Sequence, residues 1–196
     1  MADMALLAVR PPHEAKTRLA PALSPTARAD FALFTARHVL ACLTAVLPPE
    51  RCIIISRSPE ILDLGQAAGA HVLVEEGHGQ NAALTQGAGC ARALGATGLL
   101  SVSSDLPLLE ADDVIAMVGG GARIAPDRHG RGTNALFMSP PLAFSYLHGA
   151  NSLYAHESAA RAAGTPLLRI VRRGLAHDVD TPEDLLPLPL ERTIPR

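Results

Sequence analysis

Short apolar runs alternate with segments of helical spacing through the first half of the chain. ALLAV (5–9), closed by Arg10 and two prolines, predicts a strand buried on both faces. Ser24 then offers an N-cap and Pro25 the first helical position, and Leu33, Ala36, Leu40, Leu43 and Leu47 recur at helical spacing as far as Pro48-Pro49. RCIIIS (51–56) predicts a second central strand, SPEILDLGQAAG a helix capped by Ser58 and closed by Gly69, and HVLVE a third strand. QNAALTQGAGCARALG has helical composition despite its glycines, and TGLLSVSS is a fourth strand that runs into Asp105.

Such alternation predicts a mainly parallel sheet with helices on both faces, in which ligands gather at the carboxyl edge of the strands. The second half is less regular. ARIAPD and NALFM read as strands around a Gly-rich turn, HESAARAAG as a helix, LLRIVRR as a strand, and TPEDLL as a short helix with Thr181 and Asp184 placed for a capping box. Without repeat or linker, residues 1–186 predict a single domain and 187–196 a loosely held tail.

Composition narrows the function. Seventeen Lys and Arg against 19 Asp and Glu, with no basic block, leave no electrostatic footprint for nucleic acid, and 3% aromatics leave no base-stacking platform. A small-molecule pocket fits better. Cys42, Cys52 and Cys90 are odd in number and set in apolar surroundings, as buried thiols of a reducing compartment would be. No run suggests a signal peptide or a membrane span, so a cytoplasmic location is expected.

Six stretches carry groups suited to chemistry. Asp105, at a strand end with Ser103 and Ser104 before it and Pro107 after, either holds a hard cation or caps the next turn. Asp178 and Asp180, two apart, share one face of an extended segment; they suit a cation between them, or a solvated turn. Arg10, Lys16 and Arg18 belong to the loop after the first strand, where they fit a triphosphate or simply solvent, and no P-loop motif occurs. Thr133 and Asn134 follow GRG, a turn whose backbone could approach an anion. Gly149 and Ser152 precede a helix, where Ser152 caps and an anion could bind. Gln80 and Asn81 open a helix after GHG, with amides suited to reading a base or ribose. His78, His129, His148, His156 and His177 lack zinc spacing and read as positioning or surface residues.

In order, KTRLAPALS, GQNAAL, SSDLPLL, APDRHGRGTNAL, HGANS ahead of His156, and HDVDTPEDL resemble the guanylyltransferase family of coenzyme F-420 biosynthesis, over about residues 6–186. The resemblance implies a Rossmann-like three-layer nucleotidyltransferase fold and the joining of GTP to phosphoenolpyruvate or 2-phospho-L-lactate with loss of pyrophosphate. It puts Mg²⁺ on Asp105 with Asp178, Asp180 or both. Lys16 and Arg18 fall on the GTP phosphates with Arg10 beside them, Gln80, Asn81 and Ser104 on the nucleotide side, and Thr133, Asn134, Gly149 and Ser152 on the acceptor side. Lys16, Arg18 and Asp105 would then carry catalysis.

Two departures stand out. Ala8-Val9-Arg10 replaces the family's usual Pro-Val-Lys, and GHGQN replaces Gly-Leu-Asn. 3-Phosphoglycerate is a third acceptor the same reaction could take; the rival readings are a molybdopterin- or sugar-type nucleotidyltransferase, which would use the same half-site for a different acceptor, and a non-catalytic nucleotide-binding module. PPLAFSYL (140–147) reads as an apolar helix face that could serve a homodimer.

Overall fold

The computed structural model describes residues 3–139 and 145–188. Among the described residues seven strands form one sheet: β1 (Asp3–Ala8), β2 (Cys52–Ser56), β3 (His71–Val74), β4 (Gly98–Val102), β5 (Ala122–Pro126), β6 (Thr133–Met138) and β7 (Leu168–Arg169), in the spatial order β3-β2-β1-β4-β6-β5-β7. Only β6 runs against its neighbours, pairing antiparallel with both β4 and β5. The sheet is therefore mixed but mainly parallel, as the alternation predicts. The chain winds outward from β1 to β3, then returns to place β4 on the other side of β1. That reversal creates a crevice beyond the carboxyl ends of β1 and β4, the place where such sheets bind ligands.

Period-two alternation in the central strands fills two separate cores. Ala5, Leu7 and Val9, with Ile54 and Leu100, meet helices α1 (Pro25–Val46), α2 (Pro59–Ala67) and α4 (Ala111–Met117) on one face. Met4, Leu6, Ile53, Ile55 and Leu99 meet α3 (Gln80–Ala93) on the other. Gly87 inside α3 has a packing reason: a Cβ on it would stand 2.3 Å from a Leu6 methyl carbon, so the helix can lie this close to β1 only without a side chain there. Helix α5 (Ser152–Ala162) covers the far end of the sheet through Leu153, and short helices α6 (Arg173–Ala176) and α7 (Pro182–Leu185) close the domain.

Several elements differ from the sequence reading. LLRIVRR forms only the two-residue β7, because Arg172 leaves the sheet to ion-pair with Asp113 and α6 starts at once. Ser58 makes no side-chain cap; its N–H instead takes the Ser56 hydroxyl as acceptor. α4 forms where the sequence pattern predicts only a turn, and α5 starts at Ser152 rather than His156. α1 is long and apolar enough to span a bilayer by length and composition alone, contrary to the sequence reading, but its Ala36, Val39, Leu40 and Leu43 pack into the core. Ser24 caps α1 by accepting from the Ala27 N–H, and Thr181 and Asp184 form the expected capping box.

At the start of the expected tail, Leu188 is buried against Leu19, Phe31 and Val179, and residues 189–196 lie outside the described residues. So do residues 140–144 of the proposed dimer face, while 145–147 are not helical. The cysteines form no disulfide; Cys52 is buried and Cys42 and Cys90 half-buried. Burial pushes the Cys52 thiol up to about 12, so it stays protonated and inert.

Candidate active site

A cleft of about 900 Å³ opens at the carboxyl edge, beneath the β1–β4 reversal. Of the residues singled out in the sequence, Arg10, Lys16, Arg18, Gln80, Ser104, Asp105, Thr133, Asn134, Gly149, Ser152, Asp178 and Asp180 line it. Asn81 does not.

Lys16 is the centre of one wall. Its backbone is left-handed (φ 56°), a conformation uncommon outside glycine, and its carbonyl accepts from the Leu19 N–H to start a 3-10 turn. Its ammonium lies 2.6 Å from Asp105 Oδ2, 2.5 Å from the Val179 carbonyl and 3.4 Å from Asp180 Oδ1. Burial pulls its pKa down, but Asp105 and then Asp180 outweigh that and hold it above its ordinary value. Arg18 is mostly exposed and only approaches Asp180, at 3.7 Å.

The carboxylates come from two distant segments joined by backbone. The Val179 N–H donates to the Asp105 carbonyl at 3.3 Å, tying the turn after β4 to the segment before α7. Val179 itself is fully buried with Leu19, Phe31 and Leu185, so Asp178 and Asp180 on either side of it both face the cleft. Asp184 Oδ2 accepts the N–H groups of Asp180 and Thr181, each at 2.8 Å, and its other oxygen is paired with Arg128. This fixes the turn that carries Asp180.

Asp178 Oδ1 accepts from the Asn134 amide at 3.1 Å. Burial raises the Asp178 pKa; the Asn134 bond opposes this, while the charges of Asp105 and Asp180 push further upward. A carboxylate so disfavoured by its neighbours is relieved by an added cation, and hard carboxylate oxygens are the donors Mg²⁺ takes. Among the described residues no three acidic, histidine or cysteine groups converge as a complete metal cage. Mg²⁺ needs no such cage, since one or two carboxylates suffice where substrate phosphates and waters supply the rest. The residues present fit the ion on those terms.

The opposite wall is built of uncharged donors. Thr133, Asn134 and Ser152 are all buried, and the Ser152 hydroxyl donates to Thr133 Oγ1 at 3.3 Å. Thr133 also lies 3.0 Å from Nδ1 of His156, which is wholly buried rather than on the surface. Gly149 has φ 146°, a conformation L side chains rarely adopt, and its carbonyl accepts from the Ser152 N–H at the start of α5.

Asn81 acts at one remove. Its amide donates to the His148 carbonyl at 3.0 Å and accepts the His148 N–H at 2.8 Å, clamping the loop ahead of Gly149 to the first turn of α3. Both amide atoms are thus engaged with backbone, whereas its neighbour Gln80 faces the cleft.

Residues absent from the sequence reading also line the cleft. Arg57 and Glu75 follow β2 and β3 and pair at 3.4 Å, and Asp127 and Arg131 flank the β5–β6 turn. The rule that strand ends face the site would have found the first two.

With this geometry in view, likeness to known proteins sharpens the picture. Residues 3–191 match the family described as "Guanylyl transferase CofC like". The chain belongs to that family. A phosphoenolpyruvate guanylyltransferase of Sphaerobacter thermophilus is 39% identical over 189 residues, covering 94% of this chain and 91% of that protein. One from Rubrobacter xylanophilus is 37% identical over 190 residues, covering 94% and 92%. In three dimensions the chain is similar to a nucleotidyl transferase from Methanothermobacter, with TM-score 0.65, 18% identity, and coverage of 95% of each chain. A cytidylyltransferase from Leptospira borgpetersenii shares the fold at TM-score 0.56 and 15% identity, covering 94% of this chain and 83% of that one. The CofC-like chain is thus an enzyme of nucleotidyl transfer, of the guanylyltransferase kind, on the nucleotidyltransferase fold its motifs imply.

Proposed function

We propose that this enzyme joins GTP to phosphoenolpyruvate, or to the closely similar 2-phospho-L-lactate, releasing pyrophosphate. The observation that carries the reading is the cleft's two-sided construction: Lys16 with Asp105, Asp178 and Asp180 on one wall, and the buried Thr133–Ser152 hydroxyl pair on the other. Relatives named phosphoenolpyruvate guanylyltransferase support the choice of nucleotide and acceptor.

In this reading an oxygen of the acceptor's phosphate attacks the α-phosphorus of GTP, and the bond to the bridging oxygen of pyrophosphate breaks. A phosphate monoester is largely dianionic near neutral pH, so it needs no general base. Lys16 and Arg18 hold the triphosphate, with Arg10, Gln80 and Ser104 on the nucleotide side. Thr133, Gly149 and Ser152 hold the acceptor, and Asn134 orients Asp178. Bound on Asp105 with Asp178, Asp180 or both, Mg²⁺ would neutralise charge at the reacting phosphates. The chain's main task is to align two anions that repel one another.

The product is a mixed diphosphate whose anhydride is activated for onward transfer, which fits a cytoplasmic step of coenzyme F-420 assembly. A pyrophosphate-release screen of GTP, ATP, CTP and UTP against phosphoenolpyruvate, 2-phospholactate and 3-phosphoglycerate tests the proposal. GTP with one of the first two acids should give the fastest release. Equal rates with CTP or UTP, or no turnover with either acid, would overturn it.

A further inference from the structure

We propose that His156 is a positioning residue that forces Thr133 to present a hydrogen-bond donor to the acceptor anion. The inference rests on the acceptor reading of Thr133 and Ser152 given above.

Its basis is proton counting along a buried chain. The Leu147 N–H, which can only donate, points at His156 Nε2 at 2.9 Å. Nε2 must therefore be the unprotonated nitrogen, and in a neutral ring Nδ1 carries the hydrogen. Nδ1–H then donates to Thr133 Oγ1 at 3.0 Å. The Ser152 hydroxyl donates to the same oxygen at 3.3 Å. Both lone pairs of Thr133 Oγ1 are then occupied, so the only thing it can offer the cleft is its own O–H. A phosphate or carboxylate accepts such a hydrogen and cannot donate one.

The opposite tautomer would spoil the site twice. With hydrogen on Nε2, the Leu147 N–H would face another N–H, and Thr133 would turn its proton inward to Nδ1. The surroundings hold the ring neutral. His156 is fully buried, its ring meets that of His148 edge-on at 5.0 Å, and burial lowers its pKa to about 4. Ser152, which opens α5 one turn before His156, shares the ring's target, so helix, hydroxyl pair and imidazole form one rigid donor assembly.

Three variants test the assignment with phosphoenolpyruvate as the acceptor. His156→Phe keeps the ring and removes both nitrogens, His156→Asn keeps a donor near the Nδ1 position, and Thr133→Val removes the presented hydroxyl. Losing an oriented donor to an anion should raise the KM for phosphoenolpyruvate about tenfold or more. His156→Phe should show that rise while the KM for GTP stays within about twofold, and His156→Asn should recover most of it.

If Thr133→Val leaves the phosphoenolpyruvate KM unchanged, the acceptor reading falls and the inference with it. If Thr133→Val raises it but His156→Phe does not, only the inference is overturned. Equal rises for GTP and phosphoenolpyruvate, or no recovery with Asn, would reduce His156 to a packing residue. Should His156→Phe fail to fold, ¹⁵N NMR of the wild-type histidines decides the matter: the Nδ1–H tautomer of His156 is required, and an Nε2–H tautomer refutes the proposal.

Discussion

The Lys16 ammonium lies 2.6 Å from the Asp105 carboxylate although 89 residues separate them. Only 8% of the Lys16 side chain is exposed, so neither partner can lose the other cheaply. Asp105→Asn should lower kcat by about 10² to 10³-fold while GTP binding weakens only modestly, because the change removes charge and keeps shape. Pyrophosphate release and GTP titration, run side by side, separate the two effects. Near-normal turnover would remove Asp105 from the reaction.

Asp178 should show the opposite trade in stability. Its carboxylate is raised by burial and by Asp105 and Asp180, so its ionised form weakens the fold at neutral pH. Asp178→Asn keeps an acceptor for the Asn134 amide and should raise the Tm without metal by a few degrees, for about 1 kcal/mol. The same change should reduce any Mg²⁺-induced rise in Tm in the presence of GTP. Thermal melts with and without Mg²⁺ check both halves.

The two edge-on histidines predict a pH slope. Burial lowers His156 to about 4, and burial together with the neighbouring His156 lowers His148 to about 4 as well. Above an unfolded value near 6.5 both states are neutral and stability is unaffected. As pH falls from about 6.5 to 4 the unfolded chain takes up protons first, costing up to about 1.4 kcal/mol per histidine per pH unit. Denaturant melts across that range should show the loss, and His156→Phe should flatten it.

Asn81→Ala should act on the proposed acceptor side although Asn81 stands next to Gln80 in the first turn of α3. Removing both bonds to His148 frees the loop ahead of Gly149, and each lost bond is worth about 1 kcal/mol. The KM for phosphoenolpyruvate should rise several-fold with little change for GTP. A rise confined to GTP would restore Asn81 to the nucleotide.

Core packing gives a fifth test. Gly87→Ala drives a methyl into Leu6, which is wholly buried, and should destabilise by about 1–3 kcal/mol despite alanine's better helix propensity. Trimming Leu6 to Ala in the same chain should make the Gly87→Ala change much less costly, which a double-mutant cycle would register.

Local pattern carried the first half of the fold because each strand is a short apolar run bounded by Pro, Gly or polar residues. It carried the shared face of Asp178 and Asp180 too, since alternation sends the intervening Val179 inward. It could not reveal the Asn81 clamp or the burial of His156, which depend on residues far away in sequence. It also overextended β7, because the Arg172–Asp113 pair that draws the chain off the sheet joins residues 59 apart.

The reversed direction of β6 has a consequence for how such an enzyme can diversify. A parallel strand reaches the cleft with its last residues, but β6 reaches it with its first, Thr133 and Asn134. On the proposed assignment of Thr133 to the acceptor, the hairpin of β5 and β6 delivers that substrate's contacts as a compact insert, while Lys16 and Asp105 arrive on the winding of β1 and β4. On the same assignment, exchange of the 126–134 turn should alter what is joined while leaving untouched the strands that carry Lys16 and Asp105.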